Sequence, residues 1–147
     1  MVGYLRQSSI LAAVAALIAA AGCGSAPTTP STAAYSQTDL RLGAGTEAAS
    51  GKIVTVNYTG WLYDGSKTDH KGLQFDSSTG VAPFAFTLGV GDVIAGWDKG
   101  VTGMRVGGQR RLVVPPSLGY GAVRYGPIPP DATLVFDIEL VEVADAQ

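Results

Sequence analysis

The sequence predicts an α+β fold, an antiparallel β-sheet wrapped around one short α-helix. Two alternating stretches and a single glycine-bounded helix candidate carry this prediction. Leu134, Phe136, Ile138 and Leu140 fall on one face of a strand while Asp137 and Glu139 fall on the other, the period-two pattern of a half-buried strand. Ile53–Tyr58 alternates Ile, Thr and Asn with Val, Val and Tyr in the same way. Helical spacing is confined to Gly96–Thr102, where Trp97 and Val101 are four apart and glycines at 96, 100 and 103 limit the length. So short a helix is unstable alone, so it must lie on the sheet.

From the N-terminus, Arg6 precedes an apolar run, Ile10–Gly22, of 13 residues. That is shorter than the roughly 20 residues a membrane-spanning helix needs, so residues 1–22 read as a secretory signal peptide. Ala20-Ala21-Gly22-Cys23 resembles the lipobox of bacterial lipoproteins, with Ala20 where leucine is usual. The resemblance implies that Cys23 is lipidated and becomes the mature N-terminus, tethering an exported protein to the cell membrane on its extracytoplasmic side. Gly24–Thr38 is Ser, Thr, Ala and Pro with no charge, too little apolar surface to offset its ordering entropy. Residues 23–38 are therefore expected to be a flexible linker and 39–147 the folded domain. Within that domain, Pro83–Leu88 places Phe84, Phe86 and Leu88 on one side of a strand, and Gln109–Val114 forms another that Pro115-Pro116 stops.

Composition excludes several functions. The chain has 147 residues, 46% hydrophobic and 15% charged, with a formal net charge of -2. It lacks the basic excess of a nucleic-acid partner. One cysteine and one histidine leave no intramolecular disulfide and too few soft ligands for a closed zinc site, so no metal or cofactor is expected. Gly43-Ala44-Gly45-Thr46-Glu47-Ala48 matches a dinucleotide fingerprint in form, but a strand follows it and not the helix that would hold a pyrophosphate. Gly51-Lys52-Ile53 lacks the hydroxyl of a phosphate-binding loop. His70, in a polar loop with no nucleophile beside it, is expected to be solvated.

What remains is aromatic and lies at loop edges: Tyr58-Thr59-Gly60, Phe75-Asp76-Ser77-Ser78, Pro83-Phe84-Ala85-Phe86, Val93-Ile94-Ala95-Gly96-Trp97, Gly119-Tyr120-Gly121 and Ile128-Pro129-Pro130. In this order and spacing the chain resembles the FKBP (tacrolimus-binding) family of peptidyl-prolyl cis-trans isomerases over essentially all of Asp39 to Val143. The resemblance implies a sheet wrapped around the helix, with Trp97 the floor of an apolar cavity. It implies walls and rim from Tyr58, Phe75, Phe84, Val93, Ile94, Tyr120, Ile128 and Phe136, and leaves Phe86, Leu134 and Ile138 as core. Catalytic roles would fall to the Ile94 N–H and the Tyr120 hydroxyl, which hold substrate carbonyls, and to Asp76 beside the rotating imide. Asp76 also reads as a turn cap before Ser77-Ser78.

The same resemblance implies proline-containing polypeptide substrates, binding of macrolides such as tacrolimus or rapamycin, and a monomer. A non-catalytic module binding proline-containing or hydrophobic segments is the alternative. This chain departs from the family pattern in three places. Lys67 to Gln74 carries an insertion, Val81 stands where an arginine partner for the aspartate often lies, and the Val123 to Ile128 loop, with Tyr125, is short.

Overall fold

The structure is a computed structural model describing residues 31–147. The expected signal peptide, Cys23 and most of the expected linker lie outside the described residues. Seven elements and a 3-10 turn follow in order: β1 (Ser36–Arg41), β2 (Lys52–Tyr63), β3 (Lys71–Ser77), β4 (Phe84–Thr87), α1 (Ala95–Val101), β5 (Gln109–Val114), the turn Pro116–Leu118, and β6 (Leu134–Asp145). All strand pairs are antiparallel and run in the order β1-β5-β6-β2-β3. β4 pairs with the first half of β2 and β3 with the second, so two short strands share one edge of a long one.

The α+β prediction holds, and so do the alternating faces. Val54 and Val56 of β2 and Leu134, Phe136, Ile138 and Leu140 of β6 are buried. Asp137 points to the opposite face, where it accepts hydrogen bonds from Arg111 Nε at 2.7 Å and Lys71 Nζ at 2.7 Å. β1 and β3 are absent from the sequence reading. β1 is exposed along its whole length and begins at Ser36, three residues before the expected boundary at Asp39. Its polar sequence is held by pairing with β5 and by Arg110, whose Nε donates to Asp39 Oδ1 at 2.6 Å.

The helix lies on β5 because its glycines permit close approach. A Cβ at Gly96 would stand 2.6 Å from Val114 Cγ1, and one at Gly100 only 2.5 Å from Leu112 Cδ1. Trp97 and Val101 thereby reach the concave face of the sheet and are buried there. Arg110, itself buried, donates to the Gly100 and Thr102 carbonyls and satisfies helix-end acceptors that would otherwise be orphaned.

His70 differs from its expected solvation. Its ring stacks on Tyr63 with centroids 4.9 Å apart, and Nδ1 is buried without a partner. The chain turns at Asp64, whose Oδ1 accepts from the Ser66 amide and whose amide donates to the His70 carbonyl at 2.9 Å, and it returns as β3. Gly43–Ala48 leads to β2 through a turn, and Ala48 is buried.

Candidate active site

A cleft of about 410 Å³ opens above α1, lined by Tyr58, Phe75, Asp76, Phe84, Asp92, Val93, Ile94, Trp97, Tyr120, Tyr125 and Phe136. Its size suits a small molecule or a short peptide segment. Trp97, 5% exposed, forms the floor. Its ring meets Tyr58 at 5.0 Å, Phe136 at 5.3 Å, Phe86 at 5.8 Å and Phe84 at 6.3 Å between centroids, mostly edge to face. Such pairs favour one mutual orientation beyond simple burial.

Phe75 and Asp76 are neighbours, yet both face the cleft. A regular strand would send them to opposite sides. The pairing shifts register here: Gly60 opposes Asp76 and Trp61 opposes Gln74, leaving Phe75 as an extra residue in a bulge. Gly60 also opposes Phe136 on its other edge, so the Phe75 and Phe136 rings meet over a residue without a side chain, 5.6 Å apart and perpendicular.

The polar groups are few and fixed. The Tyr58 hydroxyl donates to Asp76 Oδ2 at 2.6 Å, while Asp76 Oδ1 accepts from the Ser77 amide at 2.8 Å. Asp76 thus caps its own turn, as its local sequence suggests, and at the same time lines the cleft. Val81, where the arginine was missing, is exposed. The tyrosine and the backbone amide serve the carboxylate instead. Burial first, then the hydrogen bond to Asp76 and its charge, push the Tyr58 phenol far above its usual range. Burial, then Tyr125 and Asp76, also push the Tyr120 phenol up. Both hydroxyls therefore remain proton donors around neutrality.

Ile94 caps α1. Its carbonyl accepts from the Trp97 amide at 2.9 Å, while its own N–H has no partner among the described residues. The loop before it is held by two carboxylates. Asp98 accepts from the Gly89 and Gly91 amides at 2.8 and 3.1 Å, and Asp92 from the Thr87 amide at 3.0 Å.

Of the ten expected pocket residues, nine line the cleft. Ile128 does not: it is 3% exposed and packs in the core beneath the rim. Two hydrogen bonds tie it to Tyr125 across Gly126-Pro127, and Tyr125 takes the rim position. Asp92 was missed altogether, because an aspartate between Gly91 and Val93 reads only as a turn residue. Phe86, Leu134 and Ile138 are core, as expected.

The model of the FKBP-type peptidyl-prolyl cis-trans isomerase family matches residues 45–141. An FK506-binding protein of Neisseria meningitidis serogroup B is 51% identical over 107 residues, covering 71% of this chain and 92% of that protein. FK506-binding protein 1 of Gibberella zeae is 44% identical over 110 residues, covering 73% and 96% respectively. Among solved structures, AtFKBP13 matches with a TM-score of 0.64 at 37% identity, over 75% of this chain and 93% of that one. FkpA from Escherichia coli matches with a TM-score of 0.65 at 37% identity, over 81% of this chain and 52% of its own. The chain belongs to the FKBP-type peptidyl-prolyl cis-trans isomerases.

Proposed function

We propose that this isomerase lowers the barrier to X-Pro rotation by holding the imide in a water-poor aromatic cleft that favours its twisted form. The uncatalysed barrier is about 18–20 kcal/mol because resonance makes the C–N bond partly double. Twisting removes that resonance, so the carbonyl becomes less dipolar and the nitrogen more pyramidal. Solvent water stabilises the planar, dipolar form by hydrogen bonding, and an aromatic wall does not. Only such differential binding accelerates the step. A 10⁴- to 10⁶-fold acceleration requires about 5.5–8 kcal/mol, within reach of desolvation and a few oriented donors.

The roles follow from position. The pyrrolidine packs on Trp97, the free Ile94 N–H and the Tyr120 hydroxyl bind substrate carbonyls, and Asp76 sits beside the rotating bond with Tyr58 fixing its orientation. The observation that carries this reading is a Trp97-floored opening whose donors are unspent. Macrolides of the tacrolimus and rapamycin type would occupy the same volume. A protease-coupled assay on a short X-Pro peptide, with and without tacrolimus, tests it. Drug-sensitive activity supports the mechanism. Absent activity with intact binding would favour the non-catalytic binding module.

The setting is part of the same proposal. Lipidation at Cys23 would anchor a monomeric domain to the cell membrane, facing exported proteins whose X-Pro bonds isomerise slowly. Stable anchoring needs more than one acyl chain at about 0.8 kcal/mol per buried methylene. Mass spectrometry of the mature N-terminus decides the point, since an unmodified peptide starting elsewhere rejects it. Size-exclusion chromatography with light scattering checks the monomer.

A further inference from the structure

Tyr125 stacks face to face on Tyr120, with centroids 4.4 Å apart and planes 9° from parallel. This is the tightest ring pair described in the chain, yet Tyr125 is 60% exposed and sits in a short loop. An exposed ring on a mobile loop would not hold such a geometry, and the local backbone explains why this one does. The Tyr125 amide donates to the Ile128 carbonyl at 3.0 Å and the Ile128 amide to the Tyr125 carbonyl at 2.9 Å. The two residues close a two-residue hairpin over Gly126-Pro127, in which Gly126 takes a φ of 54° and proline fixes the next one.

Ile128, buried at 3%, roots the hairpin in the core. Its base is closed a second time by the Asp131 amide donating to the Gly121 carbonyl at 2.9 Å. Ile128 is thus an anchor and Tyr125 the ring it presents. The Tyr120 hydroxyl makes no hydrogen bond among the described residues, so no polar contact sets the angle of its ring. Packing alone must do so, and the face of Tyr120 meets Tyr125.

We infer that Tyr125 is a positioning residue for catalysis: its ring, held by the rooted hairpin, fixes the Tyr120 ring so that the hydroxyl stays aimed into the cleft. The inference rests on the proposed use of that hydroxyl for a substrate carbonyl. The action passes through packing, so a phenyl ring at position 125 serves as well as a phenol. A hydroxyl aimed in advance also loses less rotamer freedom on binding substrate.

A double-mutant cycle in the X-Pro assay tests this, with tacrolimus affinity measured on the same proteins. Tyr125→Ala is expected to lower kcat/KM about two- to tenfold, the worth of one aromatic pair, whereas Tyr125→Phe retains parental activity. In a Tyr120→Phe background, which keeps the ring and removes the hydroxyl, Tyr125→Ala should cost less than twofold. Carbon-13 NMR of the tyrosine rings should show Tyr120 flipping faster in Tyr125→Ala, with the melting temperature unchanged.

Equal losses in both backgrounds would mean that Tyr125 touches substrate itself and would overturn the inference. Failure of Tyr125→Phe to rescue, or parental kcat/KM in Tyr125→Ala, would do the same. Should Tyr125→Ala fold poorly, Tyr125→Leu carries the cycle. A parent with no turnover would sink the isomerase reading, while the ring-flip measurement would still decide whether the stack restrains Tyr120.

Discussion

Replacing Gly60 by alanine sets a strand preference against the cleft geometry. In an ordinary strand, glycine to alanine stabilises by about 0.5–1 kcal/mol, because glycine loses more freedom on folding. Here the new Cβ would stand 2.7 Å from Phe75 Cζ and 2.9 Å from Phe136 Cε1, well inside the roughly 3.5 Å of normal carbon contact. Phe136 cannot withdraw, being 3% exposed and edge-on to Trp97. Phe75 is half-buried at the cleft edge, so it must swing toward the opening. Overpacking costs about 1–3 kcal/mol, so the expected net loss is about 0–2.5 kcal/mol after the strand gain is subtracted. Urea unfolding should show a lower midpoint at an unchanged slope. The narrowed cleft should raise KM and weaken tacrolimus binding. A Gly60→Ala protein more stable than its parent, with KM and drug affinity intact, would refute the claim that these rings are held and that their spacing defines the site.

Three other expectations follow. Trp97→Ala removes a buried ring that four other rings contact and should cost about 3–5 kcal/mol along with activity, whereas Tyr120→Phe should spare stability and weaken catalysis and drug binding; equal unfolding of both variants would contradict this separation. Burial opposes ionisation of Asp137, but its hydrogen bonds and charge contacts with Arg111 and Lys71 outweigh burial and hold the carboxyl below its usual range. A depressed carboxyl contributes stability that is present above its unfolded value near 3.9 and lost as pH falls through the lower folded value. Asp137→Asn should therefore destabilise by about 1–3 kcal/mol at pH 7, discounted from the fully buried case because both cations reach solvent, and its urea midpoint should approach the parent's as acid protonates the parent's carboxyl. Because the raised Tyr58 and Tyr120 phenols stay protonated and no histidine, lysine or cysteine among the described residues lines the cleft, kcat/KM should be flat from pH 6 to 9; an inflection near 7 would show a group that this geometry does not contain.

Much of this frame was legible because apolar periodicity and burial coincide. β5 is found at its expected ends, since its buried Leu112-Val113-Val114 run is stopped by Pro115-Pro116, and β6 from its expected start, since Leu134, Phe136, Ile138 and Leu140 share the core face. β1 and β3 escaped because their order comes from partners. Ser36–Arg41 has no buried side chain, and Lys71–Ser77 contains a bulge that breaks the period-two signal at Phe75. The same bulge explains why local reasoning alone could not place Phe75 and Asp76 on one wall, although the family resemblance did. Ile128 shows the opposite error. The resemblance assigns it to the pocket, but its side chain is buried and two backbone hydrogen bonds to Tyr125 make it the root, while the exposed Tyr125 ring lines the cleft. Asp92 was invisible because its contribution is a hydrogen bond to a backbone amide five residues away, which no spacing rule encodes.

A hollow of aromatic rings in water should close on itself, since every square ångström hidden is favourable by about 25 cal/mol. Collapse is resisted here by the backbone of both rims. On one side, two aspartates hold the Thr87 amide at the end of β4 and the Gly89 and Gly91 amides of the loop leading to Ile94, and on the other a rooted hairpin carries Tyr125. Closing the cleft would require giving up these bonds together, and although water can replace each one, an intramolecular hydrogen bond still contributes about 0.5–1.5 kcal/mol net. The rings below are meanwhile locked edge to face around Trp97 and cannot rotate upward singly. The opening is therefore held in part by backbone hydrogen bonds at and behind its rims, and a search restricted to pocket-facing side chains would miss groups such as Asp98 and Ile128 that hold the proposed substrate cleft open.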